Sequence, residues 1–213
     1  MPSRLLRSAL VLSISFAALA SSAAANTTTT LFAVMRNDDR IGTNTIRTED
    51  DGPQTIVETV THVAVKMFFM TVYHFDQTET ERWANGRFVT MSSTTDDNGT
   101  LHKASAVNVG DAVTVDGDRG RNRIAGTIFP ASLWNPALLL QSEVLNPRDG
   151  QVLPVKIADR GEDSVVLNGH EIRARHYVIT SGFAQEAWYD AQHQLVKVQL
   201  RAPDGSTIRY LRL

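Results

Sequence analysis

From residue 30 onward, β-branched and aromatic residues alternate with polar ones in runs the length of one strand or two. The runs are punctuated by Asn-Gly or Asp-Gly pairs: Asp51-Gly52, Asn85-Gly86, Asn98-Gly99, Asp116-Gly117, Asp149-Gly150, Asn168-Gly169 and Asp204-Gly205. Tight hairpin turns need positive φ, which glycine adopts freely and Asn or Asp tolerates. The pattern predicts strands near 30–36, 40–48, 54–66, 69–83, 87–95, 100–108, 111–116, 151–158, 162–168, 170–180, 184–190, 194–201 and 206–213. Successive hairpins of this kind imply an antiparallel meander. One stretch departs from it. In Ala131–Ser142, Asn135 is a helix cap and Pro136 a first helical residue, followed by Ala137, Leu138, Leu139, Leu140 and Gln141. A short helix is therefore expected near 135–142, covering an end or face of the sheet.

The period of two also separates the faces. In 194–201, Val196, Val198 and Leu200 alternate with Lys197, Gln199 and Arg201, so one face points inward and the other mostly meets solvent. Ile172, Ala174, His176 and Val178 likewise oppose Arg173 and Arg175. Met67–Phe75 is different, because Met67, Phe69, Tyr73 and Phe75 lie on one face and Phe68, Met70 and Val72 on the other. A strand apolar on both faces is expected to be covered on both, by core, helix, partner or apolar ligand.

Composition narrows the class. The 213 residues carry 21 Lys and Arg against 23 Asp and Glu, a net charge of −2, which suits neither a nucleic-acid binder nor a disordered chain. With no cysteine, thiol catalysis, thiolate zinc sites and disulfides are excluded together. Arg4 and Arg7 precede the apolar run Ser8–Ala20, which is too short to span a bilayer and ends in small residues. This is the pattern of a signal peptide cut after Ala25. Removal of 25 of the 213 residues leaves 188, and losing Arg4 and Arg7 takes the net charge from −2 to −4. The mature chain, 26–213, is read as one β domain with no transmembrane span, exported to a periplasm and stabilised by core burial. No cysteine follows the apolar run to take a lipid anchor. The sequons at Asn26 and Asn98 matter only in a eukaryotic secretory route.

Several local signatures occur together: Phe32–Gly42 (FAVMRNDDRIG), the Glu81–Gly86 turn (ERWANG), Ser132–Asn135 (SLWN), Trp188-Tyr189-Asp190, Leu195–Val198 and Asp204–Ser206. With these, nearly the whole mature chain resembles a domain-of-unknown-function family of exported bacterial β proteins. The succession of strand, W-Y-D, hairpin and D-G-S also resembles envelope proteins of the lipoprotein-carrier type, whose curved half-barrels hold acyl chains in a concave apolar groove. The resemblance implies an all-β fold, a curved antiparallel meander closing into a half-barrel or barrel, and carries no activity with it.

Catalytic chemistry finds little footing. The mature chain has no G-x-S-x-G elbow and no S-x-x-K pair, and Ser132 beside Trp134 has no designated base, so it is expected to cap backbone near the helix. The six histidines form neither H-x-H nor H-E-x-x-H, and His170 and His176 are about 20 Å apart along an extended strand. Asp116–Arg123 lacks the further acids of a calcium loop and is expected to be a solvated hairpin tip. Asp190 is expected to start a turn and Trp188 to pack. Glu79 and Glu81 share a face with Tyr73, Phe75 and Trp83, and acids beside aromatics in a lumen would have raised pKa values, as in glycosidases. The usual exposure of glutamate points instead to a solvent-facing strand face, with Thr78, Thr80 and Arg82 turned inward.

No catalytic residue, cofactor or metal site is therefore assigned. The expected function is non-catalytic binding of an apolar, lipid-like ligand in the concave sheet by Phe68, Met70, Val72, Tyr73, Phe75, Trp83, Trp134 and Leu139. The alternative is an envelope structural or protein-interaction module with a filled core, docking a partner along exposed strand edges.

Overall fold

A computed structural model describes residues 26–181 and 184–213. The expected signal peptide, residues 1–25, lies outside the described residues. One antiparallel sheet dominates the structure. Its strands are β1 (Asn26–Arg36), β2 (Asp39–Asp50), β3 (Gln54–Met67), β4 (Met70–Ala84), β5 (Arg87–Asp97), β6 (Thr100–Val109), β7 (Ala112–Gly117) and β8 (Gly120–Ala125). After a crossing segment come β12 (Lys156–Leu167), β13 (His170–Thr180), β14 (Ala184–Tyr189), β15 (Leu195–Arg201) and β16 (Thr207–Arg212). The spatial order is β12-β13-β14-β15-β16-β1-β2-β3-β4-β5-β6-β7-β8, so the last strand joins the first and the two halves form one open sheet of 13 strands. Register shifts in the β1–β2, β3–β4, β4–β5, β12–β13 and β14–β15 pairs add twist to the sheet. The hairpin pattern implied the antiparallel meander, and an all-β half-barrel is one of the two forms, half-barrel or barrel, that the resemblance implied.

The crossing segment, residues 126–155, carries β9 (Phe129–Pro130), β10 (Glu143–Leu145) and β11 (Val152–Pro154), which pair as a small second sheet. Its helix is a 3-10 turn, Pro136–Leu140, capped by the Asn135 side chain accepting from the Ala137 N–H. Leu138 is buried and Leu140 exposed. Leu138, Val144 and Val155 pack with Phe32, Ile179, Ala187, Tyr189 and Val198 from one half of the sheet. Ile128 and Leu145 pack with Trp83, Phe88, Met91, Ala106 and Val113 from the other. The crossing segment therefore packs against the buried face of both halves of the sheet.

Two departures from the sequence pattern matter. Asp116-Gly117 was expected to be a turn, but Gly117 is the last residue of β7 and the chain turns at Asp118-Arg119. The glycine is required by close approach, since a Cβ there would stand 2.3 Å from the Asp149 carbonyl oxygen. The strand β8 then extends through residues expected to be a solvated tip. Its Arg121 and Arg123 pair with Asp116 and Asp111. The two runs at 151–158 and 162–168 are the short β11 and a single long β12, whose bulge between Asp159 and Gly161 replaces the expected break.

Candidate functional site

Two regions hold the residues singled out from the sequence, and they lie at opposite ends of β4. The first is a projecting arm. The strands β3 and β4 pair with each other as far as Met67 and Met70, whereas β2 accompanies β3 only to Val63 and β5 accompanies β4 only to Phe75. Ala64–His74 therefore runs on as a two-stranded hairpin, roughly 13 Å over the four residues from Val63 to Met67, with the end of β2 across a recess from Ala64–Lys66 and the β5–β6 turn against His74. Its tip is apolar and solvated: Phe68 is 92% exposed, Phe69 fully exposed and Met70 68% exposed, with Met67, Val72 and Tyr73 also open. The expectation that Met67–Phe75 is covered on both faces is overturned, because Met67–Tyr73 is a hairpin end with no further strand paired beside it, and only at Phe75 does β5 begin to cover the run.

Phe68 has φ of +55°, a left-handed conformation. At Asn37, Asn85, Asn98 and Asn168 the chain places asparagine, the ordinary choice, in the same conformation. An aromatic there costs roughly 1–2 kcal/mol of backbone strain, and leaving its ring in water forgoes about 1.5–3 kcal/mol of burial. Neither cost improves the fold.

The root of the arm is pinned. The Tyr73 hydroxyl donates to Asp97 Oδ1 at 2.9 Å, and Arg148 of the crossing segment donates to Asp97 Oδ2 at 2.8 Å. Partial burial, then the hydrogen bond to the Asp97 carboxylate, pushes the Tyr73 phenol up to about 12. Beside the root, a recess of about 480 Å³ is lined by Arg36, Asp39, Arg40, Ala64 and Lys66, among others. Arg36 pairs with Asp204 at 2.5 Å. Arg40 and Lys66 are exposed and enter no ion pair among the described residues.

The second region is buried. Inward parity on β4 runs through Glu79, Glu81 and Trp83, all nearly inaccessible, and Thr78 and Arg82 face solvent. This reverses the expected faces. Glu81 accepts from the Trp83 indole at 2.7 Å and the Trp134 indole at 3.1 Å, and Glu79 accepts from the Ser132 hydroxyl at 3.1 Å. Ser132 thus serves a side chain instead of capping backbone. Trp83 also meets Phe88, Phe129 and Trp134 edge-on, with ring centroids 5.0–5.7 Å apart. Burial raises both carboxyl pKa values, and the charge of Glu81 raises that of Glu79 further. Two indole donors hold the negative charge on Glu81, so the shared proton stays on Glu79. Packed side chains close the pair to any substrate, and its chemistry is that of a latch fixing residues 132–134 to β4.

The eight expected contact residues therefore divide. Phe68, Met70, Val72 and Tyr73 belong to the arm, with Phe75 half-buried at its root; Trp83 and Trp134 belong to the latch; Leu139 is half-buried against the core. From Tyr73 to Trp83 is roughly 33 Å of extended strand, so they line no common groove. Four histidines pair singly with acids: His62 with Asp76, His74 with Asp96, His102 with Asp118, and His176 with Glu186. Among the described residues no group of three or more His, Asp or Glu side chains is placed to hold a metal ion. His176 also stacks on Trp188, whose other face carries Lys197 with Nζ 3.9 Å from the ring centroid. Asp190 starts the turn as expected, accepting from the Gln192 and Gln194 N–H groups.

A family model for a domain of unknown function, DUF6134, matches residues 32–213. The chain belongs to the DUF6134 family. No curated protein matches it. Among solved structures, DUF6134 is similar to a β-barrel-like protein of another domain of unknown function, DUF1849, from Brucella abortus. That match has 10% identity and a TM-score of 0.58, and covers 91% of this chain and 98% of the other. At such identity the likeness concerns fold alone, and it agrees with the barrel-like architecture of the 13-stranded sheet. No helix among the described residues is long and apolar enough to cross a membrane.

Proposed function

We propose that this DUF6134 protein is an exported, non-catalytic envelope protein of the periplasm that makes contact through the arm formed by β3 and β4. The observation that carries this is the tip itself, where Phe68 and Phe69 stand in water on a turn strained to hold an aromatic. Sequences depart from local rules of turn chemistry where function requires it. The face packed by the crossing segment supports a contact on the outside of the half-barrel, away from an enclosed ligand. The free edges of the sheet favour the arm over strand addition, since β8 carries Arg121 and Arg123 and β12 is bulged and bears Lys156, Arg160, Glu162 and Asp163.

Expression of the full chain in a Gram-negative host, followed by osmotic release and fractionation, tests this. The processed protein is expected to sediment with the envelope. The double variant Phe68→Asn, Phe69→Gly, folded by circular dichroism, is expected in the released periplasmic fraction. Retention of the leader in a cytosolic product, or identical fractionation of the two proteins, refutes the proposal.

A further inference from the structure

We infer that the partner of the arm is a bilayer surface bearing anionic lipid, entered by Phe68 and Phe69 with Arg40 and Lys66 at the phosphate level. This rests on the arm being the contact element, and names what it touches. Shape is the first ground. The tip projects and is mostly apolar, with Met67, Phe68, Phe69, Met70 and Val72 all exposed and Thr71 the one polar residue among Met67–Val72. A fluid medium closes around such a knob, whereas a protein would need a matching socket. Depth is the second. Interfacial segments bury their apolar face about 5–10 Å into the headgroup and acyl boundary. The hairpin runs roughly 13 Å past its last paired neighbour, so its exposed end, Met67–Val72, can enter to that depth while Ala64–Lys66 and the flanking end of β2 stay at the headgroups.

Charge is the third ground. Lys66 directly precedes Met67, and the β1–β2 turn brings Arg36 and Arg40 to the same recess. Asp39 lines it too, and Asp204 neutralises Arg36, so Arg40 and Lys66 supply the positive excess. The mature chain carries net charge −4 on the sequence reading, so a basic collar at this apolar tip is a local feature and not a property of the whole surface. Nearby Asp38 pairs with Arg209, which keeps that acid from opposing the collar. The link from Tyr73 through Asp97 to Arg148 holds the arm at a fixed angle, so insertion does not require ordering a flexible loop.

The test uses the processed full chain in flotation assays with phosphatidylcholine vesicles, with and without phosphatidylglycerol. Wild type is expected to float with both and to favour the anionic vesicles. Removing both rings in Phe68→Asn, Phe69→Gly is expected to weaken partition to either vesicle about a hundredfold, each Phe being worth roughly tenfold or more. Arg40→Gln with Lys66→Gln is expected to erase the preference for phosphatidylglycerol, about fivefold per charge, and to leave partition to neutral vesicles in place. Unchanged circular dichroism establishes that each variant is folded. Absence of flotation, or flotation of the tip variant at wild-type level, overturns the inference. If the tip-dependent envelope fractionation persists when vesicles do not bind, the partner is a protein, and the arm remains the contact element without this assignment.

Discussion

Replacing Glu79 with glutamine is expected to stabilise this protein, although the residue is buried and hydrogen-bonded. In the folded chain Glu79 holds a proton because burial and the neighbouring Glu81 charge raise its pKa well above the ordinary 4.5. An unfolded glutamate releases that proton above pH 4.5, so folding takes a proton up. The folded state therefore binds more protons than the unfolded one, and stability falls as pH rises, until pH passes the folded-state pKa. Each pH unit between the unfolded and the raised folded pKa costs about 1.4 kcal/mol. Glutamine is neutral in both states, still accepts from the Ser132 hydroxyl and still offers a donor to Glu81. The Glu79→Gln variant is thus expected to exceed wild type in stability at pH 6, each kcal/mol of the gap raising Tm by about 2–4 °C for a domain of this size. At pH 4 the two should be nearly equal. Thermal melts followed by circular dichroism across that range measure the gap. A gap that is absent, or that does not widen between pH 4 and pH 6, refutes the shared-proton assignment.

Glu81→Gln is the contrasting change, because its amide nitrogen must face one of the two indole donors that now share a carboxylate. It is expected to be less stable than Glu79→Gln by about 1–3 kcal/mol in denaturant titrations, the range for a buried donor left unsatisfied. Phe68→Asn should raise stability by about 1 kcal/mol in the same titrations, since it relieves left-handed strain and gives up no packing from a ring that is 92% exposed; a loss of stability would show that the ring packs against the arm. Gly117→Ala should cost about 1–3 kcal/mol, because its Cβ would collide with the Asp149 carbonyl and push the crossing segment off β7. An unchanged Tm there would mean that the segment is not seated on that strand.

The fold was legible where turn chemistry and period agreed. Asn85-Gly86, Asn98-Gly99 and Asn168-Gly169 each join two strands with both residues at positive φ, as their side chains predict. The arm broke that correspondence. Its turn has neither Gly nor Asn; the expected strands 54–66 and 69–83 still placed the break within a residue, but Met67–Phe75 read as covered on both faces when it is the end of a hairpin that outruns its neighbours. How far β2 and β5 extend beside it is a matter of register, which a pattern along a single strand does not contain. The latch was half visible. The parity joining Glu79, Glu81 and Trp83 was plain in the sequence, but the ordinary exposure of glutamate assigned the face to solvent. What reversed it was Ser132 and Trp134, which the crossing segment brings to the pair from 53 residues away.

The claim that contact is made by the tip, and not by the concave face, can be tested with one label. The chain has no cysteine, so Phe69→Cys provides a single attachment site for an environment-sensitive fluorophore, and Leu139→Cys on the crossing segment provides the internal control. On addition of envelope membranes the label at 69 is expected to shift to the blue and become protected from an aqueous quencher, with that at 139 unchanged. A shift at 139 with 69 still wetted would place the contact inside the half-barrel and contradict the arm.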